Sequence, residues 1–143
     1  MAWYQKLILL SEKDRGFHLI TDELESKLPE LSKYQMGLAH IFIQHTSASL
    51  TLNENTDPDV RHDMEMFSLQ AIPDDADYYR HVLGGADDMP AHIKSSLWGA
   101  GVMVPITEGR FNLGTRQGLW LGEHKERGGK RLLIVTLQGN LYR

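Results

Sequence analysis

Both ends of the chain carry strand-forming runs, and the clear helix signals all lie between them. "WYQKLILL" starts at Trp3, and "RLLIVTLQG" starts at Arg131. Strands at both ends with helices between them argue for an α+β fold with largely antiparallel β-sheets and a few helices. A chain of 143 residues suits one domain, 1–143, and leaves no room for two ordinary ones. No repeat or linker interrupts it.

Between the two ends, "GFHLI" from Gly16 reads as a short strand and "TDELESKLPEL" from Thr21 as a helix. Thr21 or Asp22 is the expected cap of that helix, with Leu24, Leu28 and Leu31 as its apolar stripe and Pro29 ending or kinking it. "MGLAHIFI" from Met36 is a buried strand by apolar density, and "SASLTLN" from Ser47 alternates, placing Leu50 and Leu52 on one face. "DPDVRHDMEMFSLQAI" predicts a helix with Asp57 as N-cap, Pro58 at its first position and an inward stripe of Val60, Met64, Phe67 and Ala71. Residues 73–90 have no period, and a loop of that length in a compact domain is usually functional or disordered. "MPAHIKSSLWG" reads as a short helix stopped by Gly99. "AGVMVPI" and "RFNLG" flank Glu108-Gly109 as a hairpin, and "QGLWLGEH" is a further strand.

Composition narrows the function. The net charge of −4 argues against a nucleic-acid binder. No apolar run approaches the about 18 residues that span a bilayer, and the N-terminus has no signal-peptide h-region. The absence of cysteine removes thiolate metal sites and cysteine nucleophiles, and is compatible with a cytoplasmic protein. Charge is uneven: residues 57–88 carry nine acids against Arg61 and Arg80, while residues 108–143 carry seven bases against three acids. Two solvated faces explain this, as does contact between the acidic half of one subunit and the basic half of another.

Three of the seven histidines stand at informative places. His45 ends a buried strand, His92 lies in the helix after the long loop, and His124 ends "GLWLGEH". Strand–loop junctions are where scaffolds present ligands and catalysts. Three imidazoles from separate elements can hold a zinc-like ion with one position open, and imidazole suits zinc, copper, nickel or iron better than magnesium. His45, His92 and His124 are therefore the expected metal ligands. No His-x-x-x-His spacing supports the set, and isolated histidines are ordinarily hydrogen-bonding groups. His40 is read as a core or interface residue, and His18, His62 and His81 as surface residues.

Three stretches supply candidate walls for a site. The first is "HTSASLTLNENTDP" from His45, with Thr46, Ser47 and Asn53 as substrate-binding groups and Glu54 as a proton carrier. The second is "GGADDMPAHIKSS" from Gly84. Asp87 and Asp88 precede a helix N-terminus there, one capping it and the other orienting a histidine or binding magnesium, and Lys94 and Ser96 are placed to meet phosphate. The third is "LGTRQGLWLGEH" from Leu113, where Thr115 and Arg116 are placed to meet an anion and the glycines mark close approach of neighbours. Glu123 and His124 point to opposite faces of a regular strand. Neither a P-loop nor a Gly-x-Ser-x-Gly elbow is present.

Taken together, "HTSASLTLNENTDP", "DDMPAHIKSS" and "GLWLGEH" resemble the YjbQ-like family, also called the secondary thiamine-phosphate synthase family. "WYQ", "RGFHLITDE" and "VTLQG" match it too, so the resemblance covers essentially the whole chain. It implies a single α+β domain assembling as a homotrimer, with a pocket near the subunit boundaries lined by the shared histidines. It also implies a weak thiamine-phosphate synthase activity, which joins a pyrimidine pyrophosphate to a thiazole phosphate. Two departures stand out: Thr56 where some relatives have cysteine, and Arg116 where relatives often have tryptophan.

Pyrophosphate departure calls for magnesium or basic residues, with Asp87 and Asp88 as magnesium ligands and Lys94, Arg110 or Arg116 neutralising phosphate. A histidine site better suits activation of water. The expectations are thus a synthase-like transferase on a small phosphorylated or heterocyclic metabolite, a metal-dependent hydrolase with Asp87, Asp88 or Glu54 as proton carrier alongside His92, or a trimeric metabolite-binding module.

Overall fold

The computed structural model describes residues 1–143. Eight strands form two antiparallel sheets. The larger has the order β1 (Ala2–Leu9), β8 (Leu132–Leu141), β3 (Tyr34–Ile43), β5 (Gly101–Thr107), β6 (Arg110–Phe111). The smaller has the order β2 (Gly16–Leu19), β7 (Gln117–Glu123), β4 (Ala48–Glu54). The terminal strands pair with each other from Ala2↔Gly139 to Leu9↔Leu132. This is the α+β, antiparallel architecture expected from strands at both ends of the chain.

The core lies between the sheets. Ile41, Val104, Val135 and Leu137 of the larger sheet meet Leu50, Leu119 and Leu121 of the smaller. Helix α1 (Thr21–Ser26) and a 3-10 turn (Pro29–Lys33) add Leu24, Leu28 and Leu31, all buried as their spacing predicts. Pro29 opens the 3-10 turn rather than ending a continuous helix, because its fixed φ and missing N–H suit a first helical position. Thr21 does not cap α1; its hydroxyl accepts instead from the Leu119 N–H at 2.9 Å, tying the helix to β7.

The outer face of the smaller sheet is covered by α2 (Pro58–Ala71), which packs on β2, and α3 (Asp88–Trp98), which packs on β4. Asp57 caps α2 by accepting from the Asp59 N–H at 2.9 Å, with Pro58 at the first position, as expected. The expected apolar stripe of α2 holds only in its first half, where Val60 and Met64 are half-buried. Phe67 is 60% exposed and Ala71 is exposed, while Ser68 is fully buried and Arg61 and Glu65 are half-buried. The helix turns a polar face inward because the layer beneath it is polar.

The outer face of the larger sheet has no cover. Trp3, Leu7, Leu38, Phe42 and Met103 stand exposed on it, around the row Gln5–Thr136–His40–Met103. No helix is long and apolar enough to cross a membrane.

Candidate functional site

The turn after β3 and one face of α3 meet at one end of the smaller sheet. A cleft of about 700 Å³ opens there, with Phe42, His45 and Thr46 on one wall and His92, Ser95 and Ser96 on the other. Ser95 fixes α3 by donating to the Ala48 carbonyl at 2.9 Å. His92 is fixed on the opposite side of its ring: its Nδ1–H donates to the Thr46 carbonyl at 2.7 Å. That bond sets the tautomer, so in the neutral ring Nε2 carries the lone pair.

His92 Nε2 lies 3.2 Å from Asp88 Oδ2, one helical turn back. His81, from the long loop, places its own Nε2 2.7 Å from the same oxygen. The donor atoms of His81, Asp88 and His92 all lie within 4.8 Å of one another. Lys125, following β7, holds Asp88 Oδ1 at 2.9 Å and also reaches the Gly84 carbonyl at 3.3 Å. The hydrogen bonds from Lys125 and then His81 drive the Asp88 carboxyl far below the usual carboxylate range. Asp87 does not cap α3; its Oδ2 accepts from the Glu126 N–H at 2.9 Å. The acidic loop and the basic C-terminal third therefore already meet within one chain.

This cluster fits a borderline divalent cation. A contact of 3.2 Å between His92 Nε2 and a carboxylate oxygen is bridged either by a proton on an imidazolium or by a cation. A ring whose other nitrogen donates to a backbone carbonyl is the usual support of a metal-bound imidazole. Two imidazoles and one carboxylate oxygen suit zinc or a neighbouring transition ion better than magnesium, which prefers oxygen ligands.

Of the three histidines expected as ligands, only His92 belongs to this cluster. The His45 Nε2 accepts from the Leu132 N–H at 2.8 Å, and its Nδ1 faces Arg131 Nη1 at 3.2 Å. Burial and then Arg131 push its pKa down. His124 lies on the other side of β7, buried against Phe17 and Trp98, with Nε2 2.8 Å from the Ser49 hydroxyl. Gly122 makes that bond possible, since a Cβ there would sit 2.7 Å from His124 Cε1.

Glu123 points the opposite way and is fully buried. It forms a bidentate pair with Arg131, Nε to Oε1 at 2.8 Å and Nη2 to Oε2 at 2.5 Å. Arg131 also donates to the Ser47 carbonyl at 3.2 Å. The polar turn at residues 45–47 is thus stitched to the start of β8, and only Thr46 and the edge of His45 face the cleft.

The other expected site residues divide by place. Ser96 lines the cleft with Thr46, whereas Ser47 is buried behind it. Lys94 is fully buried and faces the layer beneath α2, not the cleft; burial lowers its pKa. Asn53, Glu54, Thr115 and Arg116 sit at the far end of the smaller sheet, where Glu54 pairs with Gln117. β4 is seven residues long, so its two ends lie about 20 Å apart. Glu54 is occupied there, accepting from the Thr56 and Asp57 N–H groups at 2.8 and 2.9 Å. A single chain does not bring these four to the cleft. His81 and Lys125 escaped the sequence reading because exposed loop residues carry no periodic signal; the length of the 73–90 loop was the one pointer to the former.

The family model described as "UPF0047 protein YjbQ-like" matches residues 5–140. The chain belongs to this family. It is 56% identical over 137 residues to UPF0047 protein YjbQ of Escherichia coli O157:H7, covering 96% of this chain and 99% of the relative. It is 58% identical, with the same coverage, to UPF0047 protein YjbQ of Salmonella typhimurium. Among solved structures, a YjbQ/UPF0047 protein from Clostridium acetobutylicum is 32% identical, with a TM-score of 0.79 over 93% of this chain and 99% of that one. A YbjQ-like protein of unknown function from Sulfolobus solfataricus P2 shares the fold, with a TM-score of 0.82 over 97% and 99% of the two chains, at 24% identity.

Proposed function

We propose that this YjbQ-like chain is a metal-dependent hydrolase of a small metabolite, with His81, Asp88 and His92 holding a zinc-like divalent ion at the mouth of the cleft. The observation that carries this reading is the convergence of the His81, Asp88 and His92 donor atoms within 4.8 Å of one another, with the far nitrogen of His92 tied to the Thr46 carbonyl. A divalent ion there supplies Lewis acidity toward a water or a substrate oxygen. The chain's own residues do the rest. Lys125 holds Asp88 Oδ1, so that only Oδ2 is presented. Ser96, Ser95 and Thr46 line the cleft with hydrogen-bonding groups, and Phe42 gives it an apolar edge. Asp87, spent on a backbone N–H, and Glu54, at the far end of β4, are poorly placed to carry protons in this arrangement.

The test is metal content of untagged protein. We expect a single zinc-like ion per chain, lost in His81→Ala, Asp88→Asn and His92→Ala and kept in His45→Ala and His124→Ala. Apoprotein that takes up neither zinc nor manganese would sink the reading. Loss of the ion in the His45 and His124 variants would return the ligand set to the three histidines of the sequence reading.

A second reading keeps the thiamine-phosphate synthase-like transfer implied by the family resemblance, with magnesium serving the pyrophosphate. Lys125, exposed in part beside Asp88, favours it by offering a cation to a leaving pyrophosphate. The cleft wall itself carries no lysine or arginine, which weighs against it. Pyrophosphate release from the two precursors with magnesium, abolished in Lys125→Ala, would favour transfer over hydrolysis.

The proposed assembly is a homotrimer built through the bare face of the larger sheet. Phe42 belongs both to that face and to the cleft, which supports a cleft close to the boundary of such an assembly. A neighbouring copy is then the means by which Asn53, Glu54, Thr115 and Arg116 could reach a site.

A further inference from the structure

The inward face of α2 is polar, and so is what it covers. Lys94 Nζ is buried without a hydrogen-bond partner, as are both Glu65 carboxylate oxygens, His124 Nδ1, Arg15 Nε and Arg61 Nη1. Arg15, Glu65, Lys94 and His124 converge from different elements. Arg61 and Glu65 stand one turn apart on α2, Lys94 is on α3, His124 ends β7, and Arg15 precedes β2. Lys94 lies close enough to Arg15, Glu65, Asp74 and Asp87 for each to act on its charge, and Lys94 and Arg15 both act on His124.

Buried charges left unpaired are costly, and natural proteins rarely gather several in one place without something to satisfy them. The obvious internal pairing is not made: Lys94 and Glu65 feel each other but do not bond. Arg15 spends both terminal nitrogens on Asp74, at 2.8 and 2.9 Å, and leaves only Nε directed inward. The idle capacity is donor-rich, with Lys94 and Arg15 Nε against the one carboxyl of Glu65. That favours an anion with several acceptor oxygens over a metal cation. Burial raises the Glu65 pKa, against the pull of Lys94 and Arg15.

We infer that the layer enclosed by α2, α3 and the β2–β7–β4 sheet is a binding site for a small tetrahedral oxyanion. Lys94 and Arg15 Nε donate to its oxygens, and Glu65 accepts from its hydroxyl. The site is separate from the cleft and does not depend on the His81–Asp88–His92 reading. Phosphate, free or as the phosphoryl group of a small metabolite, has the required chemistry. The enclosure of Lys94 favours the free ion.

The test uses the full chain with chelator present, so that the metal site plays no part. Thermal unfolding is followed in inorganic phosphate, in sulfate, in glycerol phosphate and in chloride at matched ionic strength. Phosphate at a hundredfold excess over Kd should raise Tm by about 9 °C relative to chloride, with a change in the fluorescence of Trp98 and Trp120 beside the site. A response to glycerol phosphate alone would assign the oxyanion to a metabolite and still uphold the site. Lys94→Met should abolish the response. If that variant does not fold, Glu65→Gln keeps the test alive: it retains donor and acceptor, and the phosphate response should persist. An equal Tm in all salts overturns the inference, as does a phosphate-soaked crystal with only water between Lys94 and Glu65.

Discussion

His124 is 1% exposed, held by the Ser49 hydroxyl and packed edge-on against Phe17. Burial, and then the nearby Lys94, Arg15 and Arg131, push its pKa down to about 3. The folded ring is therefore neutral where the unfolded ring, near the ordinary value of 6.5, begins to bind a proton. Stability is full above pH 6.5 and falls as pH drops toward 3, by an amount on the order of a few kcal/mol. His45, lowered by burial and Arg131, works in the same direction. Denaturant unfolding of wild type at pH 7.5 and pH 5 should show this loss, and His124→Gln should shrink the difference; an unchanged difference would remove His124 as its cause. The Glu123–Arg131 pair makes a second prediction at this scale. Arg131→Met leaves Glu123 buried and uncompensated and should cost about 3–5 kcal/mol, while adding Glu123→Met should recover most of it. A double-mutant cycle without coupling would refute that. Sequence alone placed Glu123 and His124 on opposite faces correctly but could not see Arg131, which is one more base in a basic tail until the fold brings the start of β8 to the end of β7.

At the scale of the element, the β5–β6 hairpin was legible and α2 was not. Glu108 and Gly109 both take positive φ, 51° and 76°, the pairing that a two-residue hairpin turn demands. Glu108 holds that geometry against its side chain, so Glu108→Asn should raise Tm by a few degrees. Gly109→Ala should lower it by an amount equivalent to about 1–3 kcal/mol, since its Cβ would meet the Ser32 carbonyl oxygen at 3.0 Å. Equal Tm values for both variants and wild type would contradict this. For α2, the apolar residues Val60, Met64, Phe67 and Ala71 kept helical spacing, yet Phe67 faces out and Ser68 faces in. Periodicity measures which face is greasy. It does not say whether the surface that the helix covers is greasy too, and here that surface holds Lys94 and His124.

The whole molecule is two sheets back to back, one covered by helices and the other bare. A face carrying Trp3, Leu7, Leu38, Phe42 and Met103 is large and apolar for a chain that stays alone. Leu7→Glu combined with Phe42→Glu should turn the proposed trimer into a monomer with an unchanged circular dichroism spectrum, read by light scattering. A wild type already monomeric at micromolar concentration would remove the assembly from the proposal.

Local chemistry by itself determined the strands, the hairpin, the Asp57 cap and the Leu24–Leu28–Leu31 stripe, because each rests on steric or hydrogen-bonding preferences of neighbouring residues. It also determined the family, through motifs that span the chain, and placed His92, Asp88, Thr46 and Ser96 among the site residues. Only the tertiary structure decided which histidines meet. The partners of Asp88 come from a loop seven residues before it and from Lys125, 37 residues after it. That convergence follows from how α3 and β7 pack, which no run of sequence encodes locally. For the same reason Lys94 and His124 ended beneath the helices rather than in the cleft: a side chain's face is set by the surface its element finally covers.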